Sequence, residues 1–534
     1  MKFDPLDYPH PSRRHLVYST NGMVATQQPL AAQAGLRILE KGGNAIDSAV
    51  ATAASLTVLD PTSNGIGGDA FAVVWHDDDL HGLNASGPAP ASLSIEEVRS
   101  RGYDEIPEFG WEPVTVPGAP AAWSELSKRF GKLPLSTVLG PAIEYAEKGF
   151  PVPPTVGKTW EKSFDRYREM DGEEFDEWKK IFGVNGRPPG IGEVWASPDH
   201  ARTLHAIGET GGDSFYRGGI AERICEHAEE TDGFLAPEDL VEYSPTWADP
   251  ISTGYRGYTV WEMPPNGQGI IVLMALNILR GLEVDYGNAV DRYHKQIEAL
   301  KLAFADGYKY VSDPDYMSVG VEELLSSGYA RKRRKLIRGA ASSPKPGNPP
   351  SGGDTVYLAA ADGEGNMVSF IQSNYRGFGS GIVVPETGIA LQNRGALFSL
   401  DPDHDNCLSP GKKPYHTIIP GFLTKDRRPV GPFGVMGGFM QPQGHIQVVT
   451  DMIDLGLNPQ SALDAPRWRW IRGKQVKLES STPDHIARAL ARKGHNPEYA
   501  LDSTPFGKGQ IIVNDDGVLV GGTEPRCDGQ VAAY

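Results

Sequence analysis

At 534 residues the chain exceeds what one hydrophobic core usually needs, so two domains or one large layered domain is expected. Apolar residues at 39% and aromatics at 9% support a sizeable core, and 22% charged residues is ordinary for a soluble protein. The net charge of −17 argues against nucleic acid or an anionic membrane as the main partner, but it identifies no substrate.

The leading stretch MKFDPLDYPHPSRRHLVYS holds no apolar run of signal-peptide length, and no segment is long enough to span a membrane. The expected compartment is the cytoplasm. Ordered structure is expected from Gly22. Apolar residues at helical spacing predict a helix over 29–41, stopped by Gly42-Gly43, and an Ala-rich helix over roughly 44–58. The glycine-rich loop 60–69 then leads into a predicted strand, 70–75. Its glycines resemble part of a dinucleotide fingerprint, but that motif needs a helix after the loop; here the loop reads as a tight turn.

Residues 115–310 read as mostly helices and loops, with an apolar helix (IIVLMALNIL) and a mixed one (RYHKQIEALKLAFADGYKYV) within 268–311. The basic run 331–335, with Arg338, follows a polar helical stretch and reads as a solvated helix end. Over 339–354 the composition turns to Pro, Gly and Ser, the pattern of an exposed loop or linker. Thr355 then begins a predicted strand, 355–361, which turns at 362–366 into a second strand, 367–373, making a hairpin. Cys225, Cys407 and Cys527 are widely separated and odd in number, so they indicate neither a zinc site nor a disulfide framework.

No GxSxG elbow, phosphate loop or HExxH helix is present. Asp401, Asp403 and Asp405 alternate like the start of a calcium loop, but Asn406 and Lys412 stand where that loop needs Gly and Glu. What remains is a flexible tract ending in Gly-Gly-Asp before a strand-initiating Thr. A Thr hydroxyl needs a base beside it. A chain break before Thr355 would place a free α-amine, of pKa about 7.7–8.0, on the same residue. Taken alone, a Thr after a loop far more often simply starts an ordinary strand.

The motifs decide between these readings. The segment from GMVATQQPL to NGIGGDAF, the segment DTVYLAAADGEGNMVSFIQSNYRGFGSGIVVPETGIALQNRG, and the later Met436-Gly437-Gly438, Asp464 to Arg467 and Glu524-Pro-Arg526 resemble the γ-glutamyltransferase family, nearly end to end. The resemblance implies an α+β fold, a four-layer αββα sandwich of the N-terminal-nucleophile hydrolases. It implies self-cleavage between Asp354 and Thr355 into a large chain, 1–354, and a small chain, 355–534, which stay associated in one intertwined domain. Thr355 matches the nucleophile, and Ser373 the hydroxyl that supports its amine. Gly437 and Gly438, a turn on residues alone, match the pair whose N–H groups form the oxyanion hole. No metal or cofactor is implied.

The acyl pocket departs from the glutathione-cleaving members. Ser86 stands where they place an Arg for the substrate α-carboxylate, Ala396-Leu397 where they place an acidic pair for the α-amine, and His416-Thr417 where they place adjacent serines. Such a pocket cannot clamp a zwitterionic γ-glutamyl head by charge pairing. The candidate substrate ligands are Arg394, Asn393, His416 and Thr417: Arg394 could hold a carboxylate bidentately or form a structural salt bridge, and His416 could donate to the carboxylate or make a core hydrogen bond. The expected substrate is a small amide, either a γ-glutamyl compound or a related acyl amide such as an oxamate or glutaryl amide. A non-processing scaffold homologue is the reading of a different class.

Overall fold

The side chains of the strand Val356–Asp362 alternate between two apolar clusters: Val356, Leu358 and Ala360 in one, Tyr357, Ala359 and Ala361 in the other. A strand buried on both faces needs a covering layer on each side. The structure, a computed structural model, describes residues 4, 6–11, 14–344 and 355–534, and supplies both layers. In one seven-stranded sheet the order is Gln530–Ala533, Gly22–Thr26, Val356–Asp362, Met367–Ser373, Asp69–His76, Asp79–Ala85 and Thr246–Ala248. In the other it is Val17–Ser19, Val518–Thr523, Lys508–Asp515, Arg428–Met436, Gly421–Lys425, Tyr258–Glu262 and Ile251–Tyr255. Phe71, Val73, Met263, Tyr357, Phe422 and Ile512 fill the space between them. Gly434 leaves room there for the Tyr357 ring, since a Cβ would stand 2.5 Å from Tyr357 Cε2.

Helices Pro29–Glu40 and Ala45–Leu59 cover the outside of the first sheet, and Gly269–Leu279 and Gln441–Asp454 the outside of the second. This is the expected αββα order. The two N-terminal helices lie within a residue of their predicted bounds, because their ends are chemically marked. Gln28 accepts from Ala31 N (2.9 Å), and Asn44 and Asp47 form a capping box. All of Ala45–Leu59 is buried, so its small side chains serve close packing.

The hairpin at 356–373 also stands as predicted. Gly365 takes φ +93°, and Asp362 Oδ1 accepts from Glu364 N and Asn366 N, both at 3.0 Å. The turn sets the register, with Ala361 opposite Met367 and Val356 opposite Gln372.

Residues 115–310 are not helices and loops alone. Thr246–Ala248 edges one sheet, and Ile251–Tyr255 pairs with Tyr258–Glu262 at the edge of the other. That hairpin turns on Arg256 (φ +50°) and Gly257 (φ +86°), between β-branched and aromatic residues, a signal that helical periodicity elsewhere in the segment masked. Ordered pairing also begins before Gly22, since Val17–Ser19 lies against Val518–Thr523. The basic run is partly structural. Arg334 donates to Ile278 O and Asn277 O, capping the Gly269–Leu279 helix, and Arg333 pairs with Asp306 at 2.9 Å; Arg331, Lys332 and Lys335 are exposed as expected.

Candidate active site

The hairpin register puts Ser373 across from Thr355, one step beyond the Val356–Gln372 pair. Thr355 Oγ1 donates to Ser373 Oγ at 3.3 Å, and Ser373 Oγ accepts from Tyr375 N at 2.8 Å. Ser373 in turn pairs in register with Asp69 on the neighbouring strand. Thr355, Ser373 and Asp69 each lie two residues from an inward-facing side chain (Tyr357, Ile371 and Phe71), so all three point between the sheets at one end. The predicted scissile residue Asp354, like the rest of 345–354, lies outside the described residues.

On the opposite sheet, Arg428–Met436 runs into Gly437 and Gly438, followed by the short 3₁₀ turn Gly438–Met440 and the helix Gln441–Asp454. Gly437 has φ +132° and Gly438 φ +56°, conformations that L side chains rarely adopt. Among the described residues neither N–H has a hydrogen-bond acceptor. Two unpaired donors at the start of a helix suit an oxyanion. Gln268 holds this turn in place: its Nε2 donates to Gly438 O (3.0 Å) and Thr417 O (2.6 Å).

Arg394 is fully buried, and burial lowers its pKa to about 10. Its Nη1 donates to Thr417 Oγ1 at 2.6 Å, and its guanidinium lies 4.7 Å over the Tyr375 ring. Among the described residues, Arg394 Nε and Nη2 are buried with no hydrogen-bond partner. No carboxylate among those residues forms a salt bridge with Arg394. Tyr375 is held at φ +76°, a strained backbone for a non-glycine residue.

His416 takes its core reading. Its Nε2 bonds Asp69 Oδ2 at 3.0 Å and its Nδ1 accepts from Ile418 N at 3.3 Å, so neither ring nitrogen is left for a substrate. Burial, then Arg394 and Lys413, hold its pKa well below the ordinary histidine value. Asn393, a predicted substrate ligand, is likewise committed, accepting from Arg376 N (3.1 Å) and donating to Glu108 O (3.0 Å). It shapes the turn after Ser373. Ser86 donates to Asn84 Oδ1 at 2.7 Å.

Sequence reading missed Asp69. Its carboxylate accepts from Gln392 Nε2 (2.8 Å) and Gly87 N (3.1 Å) as well as bonding His416, and burial pushes its pKa up to about 7 against the pull of Arg394. An acid opening the apolar strand Asp69–His76 was the available signal. Gln268 and Gln392 carried none, because neutral polar residues leave no pattern.

The described residues hold one grouping with metal-ligand chemistry, His294, Glu298 and His495. Its atoms are engaged: His294 bonds His495 (2.9 Å) and Arg338 O (2.7 Å), and Glu298 bonds Lys301 Nζ (2.7 Å) and Ser342 N (2.9 Å). The buried Lys301 ammonium competes with any cation for that carboxylate. The cluster instead anchors 338–342, just upstream of the Pro/Gly tract.

The chain matches the gamma-glutamyltranspeptidase family over residues 31–534. It is 37% identical to the glutathione hydrolase-like YwrD proenzyme of Bacillus subtilis (strain 168), covering 96% of this chain and 98% of that one. It is 35% identical to the oxamate amidohydrolase proenzyme of Klebsiella pneumoniae, covering 97% and 99%. The crystal structure of cephalosporin acylase from Bacillus halodurans superposes with a TM-score of 0.96 at 61% identity, covering 100% of this chain and 99% of that one. End-to-end similarity, and a sandwich that brings the family's motifs to one end of two sheets, make the chain an enzyme of the gamma-glutamyltranspeptidase family.

Proposed function

We propose that the chain cuts its own Asp354–Thr355 bond, leaving chains 1–354 and 355–534 associated, and then opens small amides whose acyl group ends in a carboxylate. The Thr355 hydroxyl adds to the amide carbon while its proton passes to the freed Thr355 α-amine. Gly437 and Gly438 N–H groups receive the oxyanion, and Ser373 orients the hydroxyl. The C–N bond then breaks, and the departing amine takes that proton. Water, deprotonated by the same α-amine, or an acceptor amine cleaves the acyl ester and restores Thr355.

Arg394 carries the substrate reading. A fully buried guanidinium with two unpaired donors and a partner hydroxyl is incomplete without an anion. Arg394→Ala should raise KM for a glutaryl anilide about ten- to a hundredfold, with a smaller change in kcat, the loss of one desolvated charge-assisted pair. An unchanged KM places the carboxylate elsewhere. Asp69 has both oxygens engaged, and 396–397 carry no acid, so neither position offers a free carboxylate to an α-ammonium. Glutaryl and γ-glutamyl anilides should therefore react with similar kcat/KM. A γ-glutamyl preference above about a thousandfold would overturn this pocket.

Asp69 gives the site a pH dependence of definite sign. Below about 7 its carboxyl is neutral, and the Arg394 charge is available to the substrate carboxylate, which is ionised throughout. Above about 7 the new carboxylate competes for Arg394, with Lys413 partly offsetting it, and KM rises. The expected rise is several-fold between about pH 6 and about pH 8.5, and Asp69→Asn flattens it. A KM that falls over this range, or a rise unaffected by Asp69→Asn, contradicts the assignment.

A further inference from the structure

Of the non-glycine residues held at positive φ among the described residues, Tyr375 alone is buried; the others stand in exposed turns. Gly377, Gly379 and Gly381 follow it with φ of +53°, +87° and +86°, so this stretch uses glycine at its other left-handed positions. A bulky residue persists in such a conformation where the surrounding structure over-determines it. Here Asn393 N donates to Asn374 O at 3.1 Å, and Arg376 N donates to Asn393 Oδ1 at 3.1 Å. Both chain neighbours of Tyr375 are thereby tied to the residue that precedes Arg394.

The two ends of Tyr375 face two different tasks. Its N–H donates to Ser373 Oγ at 2.8 Å, the same oxygen that accepts from Thr355 Oγ1 at 3.3 Å. Its ring lies 4.7 Å from the Arg394 guanidinium and 5.0 Å from that of Arg376. These two cations differ in what holds them. Arg376 is paired with Glu108 at 3.1 Å, whereas among the described residues Arg394 has the Thr417 hydroxyl as its one hydrogen-bond partner. The guanidinium is therefore fastened at Nη1 and against the ring, while its Nε and Nη2 edge is unfastened. An acyl carboxylate on that edge fixes the guanidinium over the ring. A fixed ring holds the Tyr375 N–H, and with it the Ser373 hydroxyl against the nucleophile.

We propose that Tyr375 is a positioning residue that couples the two ends of the acyl site: a carboxylate bound at Arg394 tightens, through Tyr375 and Ser373, the alignment of the Thr355 hydroxyl. Charge on the acyl group then raises the rate of the chemical step as well as affinity. The inference rests on Arg394 as the carboxylate ligand, and the experiment lets the two fail separately. Glutaryl and valeryl 4-nitroanilides share a leaving group and differ by a terminal carboxylate in place of a methyl group. Single-turnover release of 4-nitroaniline by the mature protein gives a saturating rate and a half-saturating concentration for each. The glutaryl compound should react about fivefold faster at saturation, besides saturating at lower concentration. Tyr375→Phe, which keeps ring and N–H, should retain most of that rate advantage. Tyr375→Leu, which keeps the N–H and loses the ring, should bring the two saturating rates within about twofold, while glutaryl keeps its lower half-saturation. A purely structural role would slow both compounds alike and leave their ratio intact in Tyr375→Leu, which overturns the proposal. Equal saturating rates in the wild type overturn it without any variant, so the test survives a Leu chain that does not fold. In that case a lower half-saturation for glutaryl leaves Arg394 as the ligand and removes only the coupling. Equal half-saturation, or turnover of neither compound, removes both.

Discussion

Thr355→Ala should yield a folded chain that stays at 57.8 kDa on a denaturing gel and loses at least about a thousandfold in amide turnover. The expectation follows from one atom. Thr355 Oγ1 is the hydroxyl that faces Ser373, and the same oxygen is proposed both to attack the Asp354–Thr355 carbonyl and to carry the acyl group. Folding survives because the lost side chain makes one 3.3 Å hydrogen bond in a strand otherwise held by its apolar neighbours. Wild type should run as fragments of about 38 and about 19 kDa, scaled by residue number, the smaller beginning Thr-Val-Tyr-Leu. Thr355→Ser should keep part of both functions, since oxygen and amine remain. Cleavage in the Ala variant would move the nucleophile elsewhere, and an uncut but fully active wild type would end the self-processing proposal.

Removing Glu524 should produce the largest loss of stability, about 3–5 kcal/mol for Glu524→Ala. Glu524 is fully buried, pairs with Arg467 at 2.9 Å and with Arg526 at 2.5 Å, and accepts from Gly509 N at 2.7 Å. Arg526 would keep Glu479, but Arg467 would lose its carboxylate partner in a site that already disfavours its charge. The damage should reach the chemistry. Arg467 Nη1 also donates to Phe506 O (3.0 Å) and Gly507 O (3.1 Å), and a Cβ on Gly437 would lie 3.2 Å from Gly507 Cα. A lower denaturation midpoint together with a reduced kcat is expected. A double variant, Arg467→Leu/Glu524→Leu, should recover part of the stability by removing both charges together. A single variant as stable as wild type would show that the buried network is not a structural anchor.

This network explains motifs that the sequence marked without a reason. Asp464 to Arg467 and Glu524 to Arg526 are far apart in the chain, yet Arg467 and Glu524 meet behind the Gly437 turn. Their residue types announced charge, but nothing local announced the pairing. The strands at 251–262 were missed for a related cause. Their turn and composition were legible, but Ile251–Tyr255 is an edge strand, and Tyr258–Glu262 joins the sheet through Gly421–Lys425, far along the chain.

By itself the sequence determined the elements whose physics is local. Asn44 and Asp47 cap a helix within one turn, and the 362–366 turn sets a register that carries Ser373 to Thr355. A glycine pair after an apolar strand permits the positive φ that Gly437 and Gly438 adopt. Tertiary structure alone decided how the polar side chains were spent. His416 and Asp69 are 347 positions apart, Gln392 and Asp69 323 apart, and they meet through loops that pack at the end of the first sheet. That packing commits His416 and Asn393 to the protein and, among the described residues, leaves two Arg394 donors unpaired. Periodicity dictates which face a side chain occupies, because that depends on its own backbone. A buried hydrogen bond depends on whichever group the opposite layer delivers, so it is settled when the sandwich forms.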